Sequence, residues 1–518
     1  MSQQSPSAAE NGGFIAFVER VGRRIPDPVI IFIYFLIGAL VLTWAIGGLT
    51  FTTYGGDGQP INYEIRNMLA AENVVWLFDN ALLANWLGFG GGVLGVILIV
   101  MLGVGVAEHS GLFAAILKKV SRGLPMNWLP LFLVFIGIMS SIATDAGYLI
   151  LIPLAGLLYA GLNKNPLIGM AAAFAGVSAG FSANLIPATP IDVIIGVNAK
   201  VFAEAQNIPF VNAAGEALTP ATMNYYFILA STFVLGIVGA WVTLKFVQPR
   251  LEQKAFTVPD ELKITDFDVT PEEKKGLRAA GIGLLLALLA IYGLAAGPLA
   301  PYTTAEGTTV TPYLNNVILL ITFVFIVIGI AFGVASGKFK GLPDVVRAMV
   351  KQMDTMGYIL VLTFFCYNFL GVLSHSGLGA YITYLGATLL TNLGLQSYPV
   401  LLLLGFIVVT ALINLFVGGL TSKWMLLGPI FIPMLYLVNS EMTPDLVAAA
   451  FRLADSSTNI ITPMMSYAGI ILAFMRKYNP QLTFGEMIAM MLPYSLAFMV
   501  VWSALLVAFF TLGIPLGF

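Results

Sequence analysis

The sequence predicts an all-α polytopic membrane protein, with about nine transmembrane helices and two re-entrant helical hairpins in inverted repeats. Three observations lead there. Of 518 residues, 58% are hydrophobic and only 10% are charged, where a soluble domain carries about 25% charged residues. Apolar stretches of about 18 to 25 residues recur along the chain, and mean hydropathy is +0.91. Two further apolar stretches are interrupted midway by polar residues, and landmarks of the first half return in order in the second.

The balance of 24 basic against 26 acidic residues gives a net charge of −2, so nothing global points to nucleic acid. Cys366 is the single cysteine, which rules out an intrachain disulfide. The N-terminal MSQQSPSAAENGG is polar and lacks the charged, apolar and cleavage regions of a signal peptide. The first span is therefore expected to remain as an anchor.

Phe14 to Arg24 reads as a short amphipathic helix on the membrane surface, and Pro26 and Pro28 open the first span, 27–48. The loop 49–86 has Arg66 as its one cation. The span 88–108 carries Gly88, Gly91, Gly92 and Gly95, whose small-xxx-small spacing permits close helix approach. His109-Ser110-Gly111-Leu112 and an amphipathic helix ending in Lys118, Lys119 and Arg122 follow. In 128–160 two apolar arms, each too short to span, flank Ser140-Ser141-Ile142-Ala143-Thr144-Asp145-Ala146-Gly147. That pattern predicts a re-entrant hairpin with its tip at membrane depth. The segment 166–186 runs into Ser182-Ala183-Asn184, with Thr189, Pro190 and Asp192 beyond. Spans are expected at 222–247, 278–298 and 313–335, with a hydrophilic linker over 248–277.

The second half repeats this plan. A span at 353–371 leads to Gly371-Val372-Leu373-Ser374-His375-Ser376-Gly377-Leu378, matching Gly105-Val106-Ala107-Glu108-His109-Ser110-Gly111-Leu112. Residues 398–437 read as a second broken hairpin around Gly418-Gly419-Leu420-Thr421-Ser422-Lys423-Trp424. Ser457-Thr458-Asn459-Ile460-Ile461 then echoes Ser182-Ala183-Asn184-Leu185-Ile186, and a last span covers 484–512. The expected division is a cytoplasmic tail and interfacial helix (1–26), a first repeat (27–247), a cytoplasmic linker (248–277) and a second repeat (278–518). Loops rich in Lys and Arg fall on one side of this topology. The positive-inside rule then places the N-terminus in the cytoplasm and the C-terminus outside.

Residues 451–472 concentrate the chemistry. Arg452, Asp455, Ser456 and Asn459 form one polar stripe at 100° per residue, and Thr462-Pro463 is expected to interrupt the helix. Charge at membrane depth is costly unless it lines a cavity or meets a partner. Broken helices expose backbone groups that suit carboxylates and small cations. Ser182 and Asn184 with the first tip, and Ser457, Thr458 and Asn459 with the second, are thus candidate cation or solute cradles. The bland reading is that these residues glue helices together. Asp192, Asp455 and Arg452 are the charges hardest to explain as solvated, although Arg452 and Asp455, spaced i, i+3, could neutralise each other. Asp145 is a weaker candidate. Lys423 and Trp424 would set a cation and an aromatic platform beside a solute, with ordinary packing the alternative for Trp424. The two histidines fall on opposite membrane faces in this topology and cannot share a metal. Gly176-Val177-Ser178-Ala179-Gly180 matches a nucleophile-elbow string but lies in an apolar helix, where it reads as small-residue packing. No P-loop, dinucleotide or H-E-x-x-H motif supports ATP drive or metalloprotease chemistry, and no catalytic dyad argues for an enzyme.

The string from Arg452 to Tyr467 (RLADSSTNIITPMMSY), with Met491-Leu492-Pro493-Tyr494 downstream, closely resembles the p-aminobenzoyl-glutamate transporter (AbgT) family. So do Ala172–Ser178, Ser182–Leu185 and Gly428–Met434. The resemblance covers almost the whole chain. It implies a bowl-shaped homodimer with two re-entrant hairpins, related to dicarboxylate-type ion-coupled transporters. It also implies uptake of p-aminobenzoyl-glutamate, or export of p-aminobenzoate-like antimetabolites such as sulfonamides. By resemblance the functional positions are Asp192, Thr421, Trp424, Pro444, Arg452, Asp455 and Pro463. Thr421 keeps the hydroxyl that some members supply as serine; Lys423 replaces a side chain uncharged in some members. The expectation is an ion-coupled secondary transporter in a bacterial inner membrane, using no cofactor and driven by H+ or Na+. Asn184, Asn459, Thr421 and Asp455 are the candidate sodium ligands. A sodium-coupled dicarboxylate symporter is the alternative.

Overall fold

A computed structural model of the chain describes residues 26–518 except 55–59, 90–92, 123–127, 143–146, 259–267, 304–308, 418, 463–464 and 466. The expected helix over 14–24, the middle of the first tip with Asp145, and Pro463 lie outside the described residues.

Helix α1 (Pro28–Ala45) starts where Asp27 accepts the Val29 N–H at 2.8 Å and Pro28 fills the first helical position. Tyr34, Ile37, Val41 and Trp44 point outward from it, an apolar face of the kind lipid requires. The segment expected to be plain loop instead contains an antiparallel hairpin, β1 (Thr50–Tyr54) against β2 (Pro60–Glu64), with Phe51 stacked on Tyr63 at 5.4 Å. Its β-branched and aromatic residues favour strand, a signal too short to stand out in the sequence. Helix α2 (Ala71–Asn80) and a π turn (Leu83–Leu87) lead to α3 (Val93–His109) and α4 (Leu112–Arg122).

The first broken stretch consists of α5 (Leu129–Met139), a 3-10 turn (Ser140–Ile142), a π turn (Gly147–Leu151) and α6 (Ile152–Gly161). At 1.5 Å per residue each helix rises about 15 Å, half the hydrocarbon thickness. A side chain on Gly147 would collide with the Ser140 hydroxyl, so the ends of the two turns pack closely against each other. Helix α7 (Pro166–Phe174) and its π turn (Ala175–Ala179) give way to irregular chain before α8 (Pro190–Glu204). Here Gly137 lies so close to the Val177 backbone that a Cβ would sit 2.8 Å from its nitrogen. The Gly176–Gly180 string is thus a close-packing surface, as expected.

Helix α9 (Tyr225–Val242) continues through a π turn to Leu251. Helix α10 (Pro271–Ala296) begins earlier than the sequence suggested, because Thr270 and Glu273 form a reciprocal capping box ahead of it. A small pair, β3 (Tyr302–Thr303) and β4 (Thr309–Val310), precedes α11 (Val317–Ala335), α12 (Leu342–Thr355), α13 (Gly357–Ser376) and α14 (Leu378–Asn392). The second broken stretch is α15 (Pro399–Asn414) and α16 (Leu420–Val438). Then come α17 (Pro444–Thr458), α18 (Ala468–Arg476) and α19 (Phe484–Thr511). Among the described residues seven helices, α1, α9, α10, α11, α13, α16 and α19, are long and apolar enough to cross a membrane.

The two H-S-G-L strings are helix-to-helix corners. Each histidine lies in the last turn of a long helix, His109 at the end of α3 and His375 one residue before the end of α13. Gly111 and Gly377 adopt φ of +89° and +77°, the left-handed conformation that stops a helix at little cost only in glycine. Ser110 and Ser376 then accept the N–H of Leu112 and Leu378, each at 3.2 Å, and so start the next helix. His375 stacks on Trp76 with ring centroids 3.8 Å apart and lies 3.1 Å from the Asn73 amide oxygen.

Packing is crosswise. Helix α1 lies on α13, α3 lies on α11, α5 and α6 both contact α7, and α15 and α16 both contact α17. All fifteen residues of α17 are buried, which makes it the post around which the polar residues gather.

Candidate solute and ion site

Helix α17 starts at buried Pro444, whose missing N–H costs nothing at the first helical position. It ends at Thr458, four residues before the predicted interruption. The residue before a proline avoids helical geometry, and the break lies upstream of Pro463, with Asn459 as C-cap.

On one flank of α17, the Arg452 guanidinium reaches Asp192 at 2.5 Å and donates to the Ser182 carbonyl at 3.1 Å. Asp192 occupies the first turn of α8, where a carboxylate is favoured by the helix N-terminus. Its other oxygen accepts the N–H and hydroxyl of Thr189, both at 2.8 Å. The Ser182 carbonyl is available to Arg452 because α7 and its π turn have already ended. Arg452 Nε, Ser182 Oγ and Ser456 Oγ are buried and make no hydrogen bond among the described residues. Such unmet capacity is uncommon inside proteins.

On the other flank, Asp455 meets the Lys423 ammonium at 2.5 Å, with both side chains almost fully buried. Lys423 also donates to the Asn414 amide oxygen. Asn414 in turn donates to the Asp455 carbonyl (2.6 Å), Thr458 Oγ1 (2.7 Å) and Asn459 Oδ1 (3.1 Å). Asn459 lies 3.4 Å from the second Asp455 oxygen, and Thr462 donates to the Leu415 carbonyl at 3.1 Å.

Both S-x-N triplets bond a polar residue at the end of a short apolar helix. Asn184 donates to Ser141 at 2.9 Å in the first, and Thr458 and Asn459 meet Asn414 in the second. Ser457 is different: its hydroxyl is spent on the Leu453 carbonyl within α17, at 2.8 Å. Thr421 is half-buried in the first turn of α16. Trp424 is wholly buried, donates to the Ile195 carbonyl at 3.0 Å and packs between Phe451 and Phe202. Phe202 also lines a cavity of about 340 Å³ shared with Trp76, Phe89, Gln206, His375 and Pro429. Ser141 belongs to the first polar interruption, whereas Asn414 was not among the expected site residues. A lone Asn closing an apolar arm was the available signal for Asn414.

The four expected sodium ligands do not form one cluster. Asp455 and Asn459 are together, Asn184 belongs to the first tip, and the Asp455 oxygen is already matched by an ammonium. Among the described residues, no group of three or more His, Cys, Asp or Glu side chains is placed to hold a metal.

The family model of the AbgT transporter family matches residues 13–518. The chain belongs to the AbgT family. It is 29% identical over 521 residues to the p-aminobenzoyl-glutamate transport protein of Escherichia coli (strain K12), covering 100% of this chain and 98% of that one. Among solved structures it is similar to the Alcanivorax borkumensis YdaH transporter, with TM-score 0.84 and 35% identity over 95% of this chain and 100% of that one. Neisseria gonorrhoeae MtrF, described with a class of antimetabolite efflux pumps, gives TM-score 0.83 and 33% identity over 95% and 97%. These AbgT relatives are transport proteins, so this chain is a multi-pass membrane transporter of small molecules and not an enzyme.

Proposed function

We propose that this AbgT protein is an ion-coupled secondary transporter of p-aminobenzoyl-glutamate and p-aminobenzoate-like compounds, sulfonamides included, with H+ or Na+ as the coupling ion. The observation that carries the reading is the environment of Arg452. A guanidinium held by Asp192 and the Ser182 carbonyl leaves Nε unbonded among the described residues, as are the buried hydroxyls of Ser182, whose carbonyl it holds, and of Ser456, one turn further along α17. A carboxylate or sulfonyl group accepts hydrogen bonds from such a fork. The aromatic cavity that Phe202 joins to Trp424 suits the ring of the same solute. The transport reading draws its support from the named relatives as well.

In this reading Asp192, Arg452, Ser182 and Asn184 line the solute side, while Asp455, Asn459, Thr458, Ser457 and Thr421 line the ion side. Trp424 and Pro444 shape the walls between them. The two broken stretches are re-entrant hairpins of inverted repeats, carried as one body against a scaffold that includes α1, α10 and α11. The protein works as a homodimer in a bacterial inner membrane, N-terminus in the cytoplasm. Helices α1 and α10 expose the apolar faces needed against lipid or a second copy.

Counterflow in proteoliposomes tests this, with labelled p-aminobenzoyl-glutamate and a sulfonamide under separate proton and sodium gradients. Saturable exchange of either solute is expected. Absence of exchange for every p-aminobenzoate-like compound sinks the assignment.

A further inference from the structure

We infer that the Lys423 ammonium is a tethered cation occupying the place where the second tip would otherwise hold a sodium ion, so that this tip takes no sodium. The inference deepens the ion-coupled reading and rests on it for its consequence, but its geometry stands alone.

Lys423 lies in the first turn of α16, where the helix dipole disfavours a positive charge. A lysine in a membrane protein ordinarily extends its stem toward water. This one turns inward, is 1% exposed, and ends on a carboxylate that is itself fully buried. Its nitrogen touches one Asp455 oxygen and the Asn414 amide oxygen. Hard oxygens of this kind are what a small cation seeks.

Asn414 fixes the arrangement. With its oxygen on the ammonium, its NH2 faces the Asp455 carbonyl, Thr458 Oγ1 and Asn459 Oδ1, and an NH2 group cannot ligate a metal. The remaining oxygens of the tip are thereby turned into hydrogen-bond acceptors. Charge agrees with geometry: Lys423 and Asp455 neutralise each other, and a sodium ion added between them would leave a buried positive charge unmatched. Removing the ammonium reverses both conditions. It frees the Asp455 carboxylate and lets Asn414 turn its oxygen toward Thr458 and Asn459.

The test reads thermal stability of the full-length, solute-free protein in sodium chloride against choline chloride at equal ionic strength. Lys423→Ala should gain a sodium-specific rise in melting temperature. At sodium 100 times its dissociation constant, the folded-to-unfolded ratio rises about 100-fold. Lys423→Ala/Asp455→Ala should lose that gain, and wild type should respond no more than this double variant. Lys423→Gln serves if the alanine variant does not fold. A wild type as sodium-responsive as Lys423→Ala, or a Lys423→Ala no more responsive than the double variant, overturns the inference. Because no solute is present, this outcome is independent of whether counterflow succeeds.

Discussion

Arg452 and Asp455 lie one turn apart on α17 and are each bonded away from the other. Arg452 pairs with Asp192 from the first half of the chain, and Asp455 pairs with Lys423 from the second. The mutual neutralisation that their i, i+3 spacing allowed does not occur. A single buried helix thus carries two ion pairs, one to α8 and one to α16, and so ties the two halves of the chain together.

Arg452→Lys should separate the structural task of this residue from its solute task. Lysine can keep the bond to Asp192 but has no planar fork and no Nε. The expected result is a folded protein whose half-saturating solute concentration rises at least about tenfold, or about 1.4 kcal/mol. Arg452→Ala should abolish transport and destabilise by about 3–5 kcal/mol, because Asp192 is left charged and unpaired. Flux in proteoliposomes and melting in detergent read the two effects separately. Unchanged solute affinity in Arg452→Lys would count against a solute contact.

The Lys423–Asp455 pair should be strongly non-additive in sodium-free buffer. Lys423→Met alone leaves a buried carboxylate and should cost about 3–5 kcal/mol. Lys423→Met/Asp455→Leu replaces both charges with apolar volume and should return to within about 1–2 kcal/mol of wild type. Melting of the two single variants and the double variant completes the cycle. Additive losses would mean that the two groups stabilise independently.

Gly196 is a close-approach glycine on α8, four residues beyond Asp192. A Cβ there would collide with the Pro220 carbonyl backbone. Gly196→Ala should therefore shift α8 and cost about 1–3 kcal/mol, and it should slow transport through displacement of Asp192. Gly281, with nothing within 4 Å of its Cβ position, is the control: Gly281→Ala should be neutral or stabilising, since alanine is the better helix former.

The corners at Gly111 and Gly377 make a paired prediction. An alanine forced to the left-handed conformation costs about 1–2 kcal/mol, so Gly111→Ala and Gly377→Ala should each lower the melting temperature. Expression and melting of each variant check it. If neither loses stability, these glycines are not needed as helix stops.

Much of this was legible in one dimension. The apolar stretches predicted the long helices because a span must be continuous and nonpolar. The polar interruptions at 140–147 and 418–424 predicted broken chain: α5 ends at Met139 as expected, whereas the second break comes earlier, after Asn414, and Leu420–Trp424 already belong to α16. The repeated H-S-G-L strings encode a backbone corner, a local property of Gly φ and Ser capping, so their recurrence was visible without any fold. The β1–β2 hairpin was missed because five-residue strands carry little pattern. The end of α17 lies at Thr458, ahead of the expected interruption, because a helix that meets a proline must stop at or before the residue preceding it.

The sequence by itself determined that this chain must live in lipid and that two of its apolar stretches are interrupted by polar residues. Those are properties of composition and local pattern. Only the tertiary structure decided who meets whom. Arg452 bonds Asp192 across 260 residues, Lys423 reaches Asp455, and Asn414 gathers the second tip. A buried charge must find a partner, but which partner is set by how helices cross, and that geometry is not written in the spacing of residues along the chain.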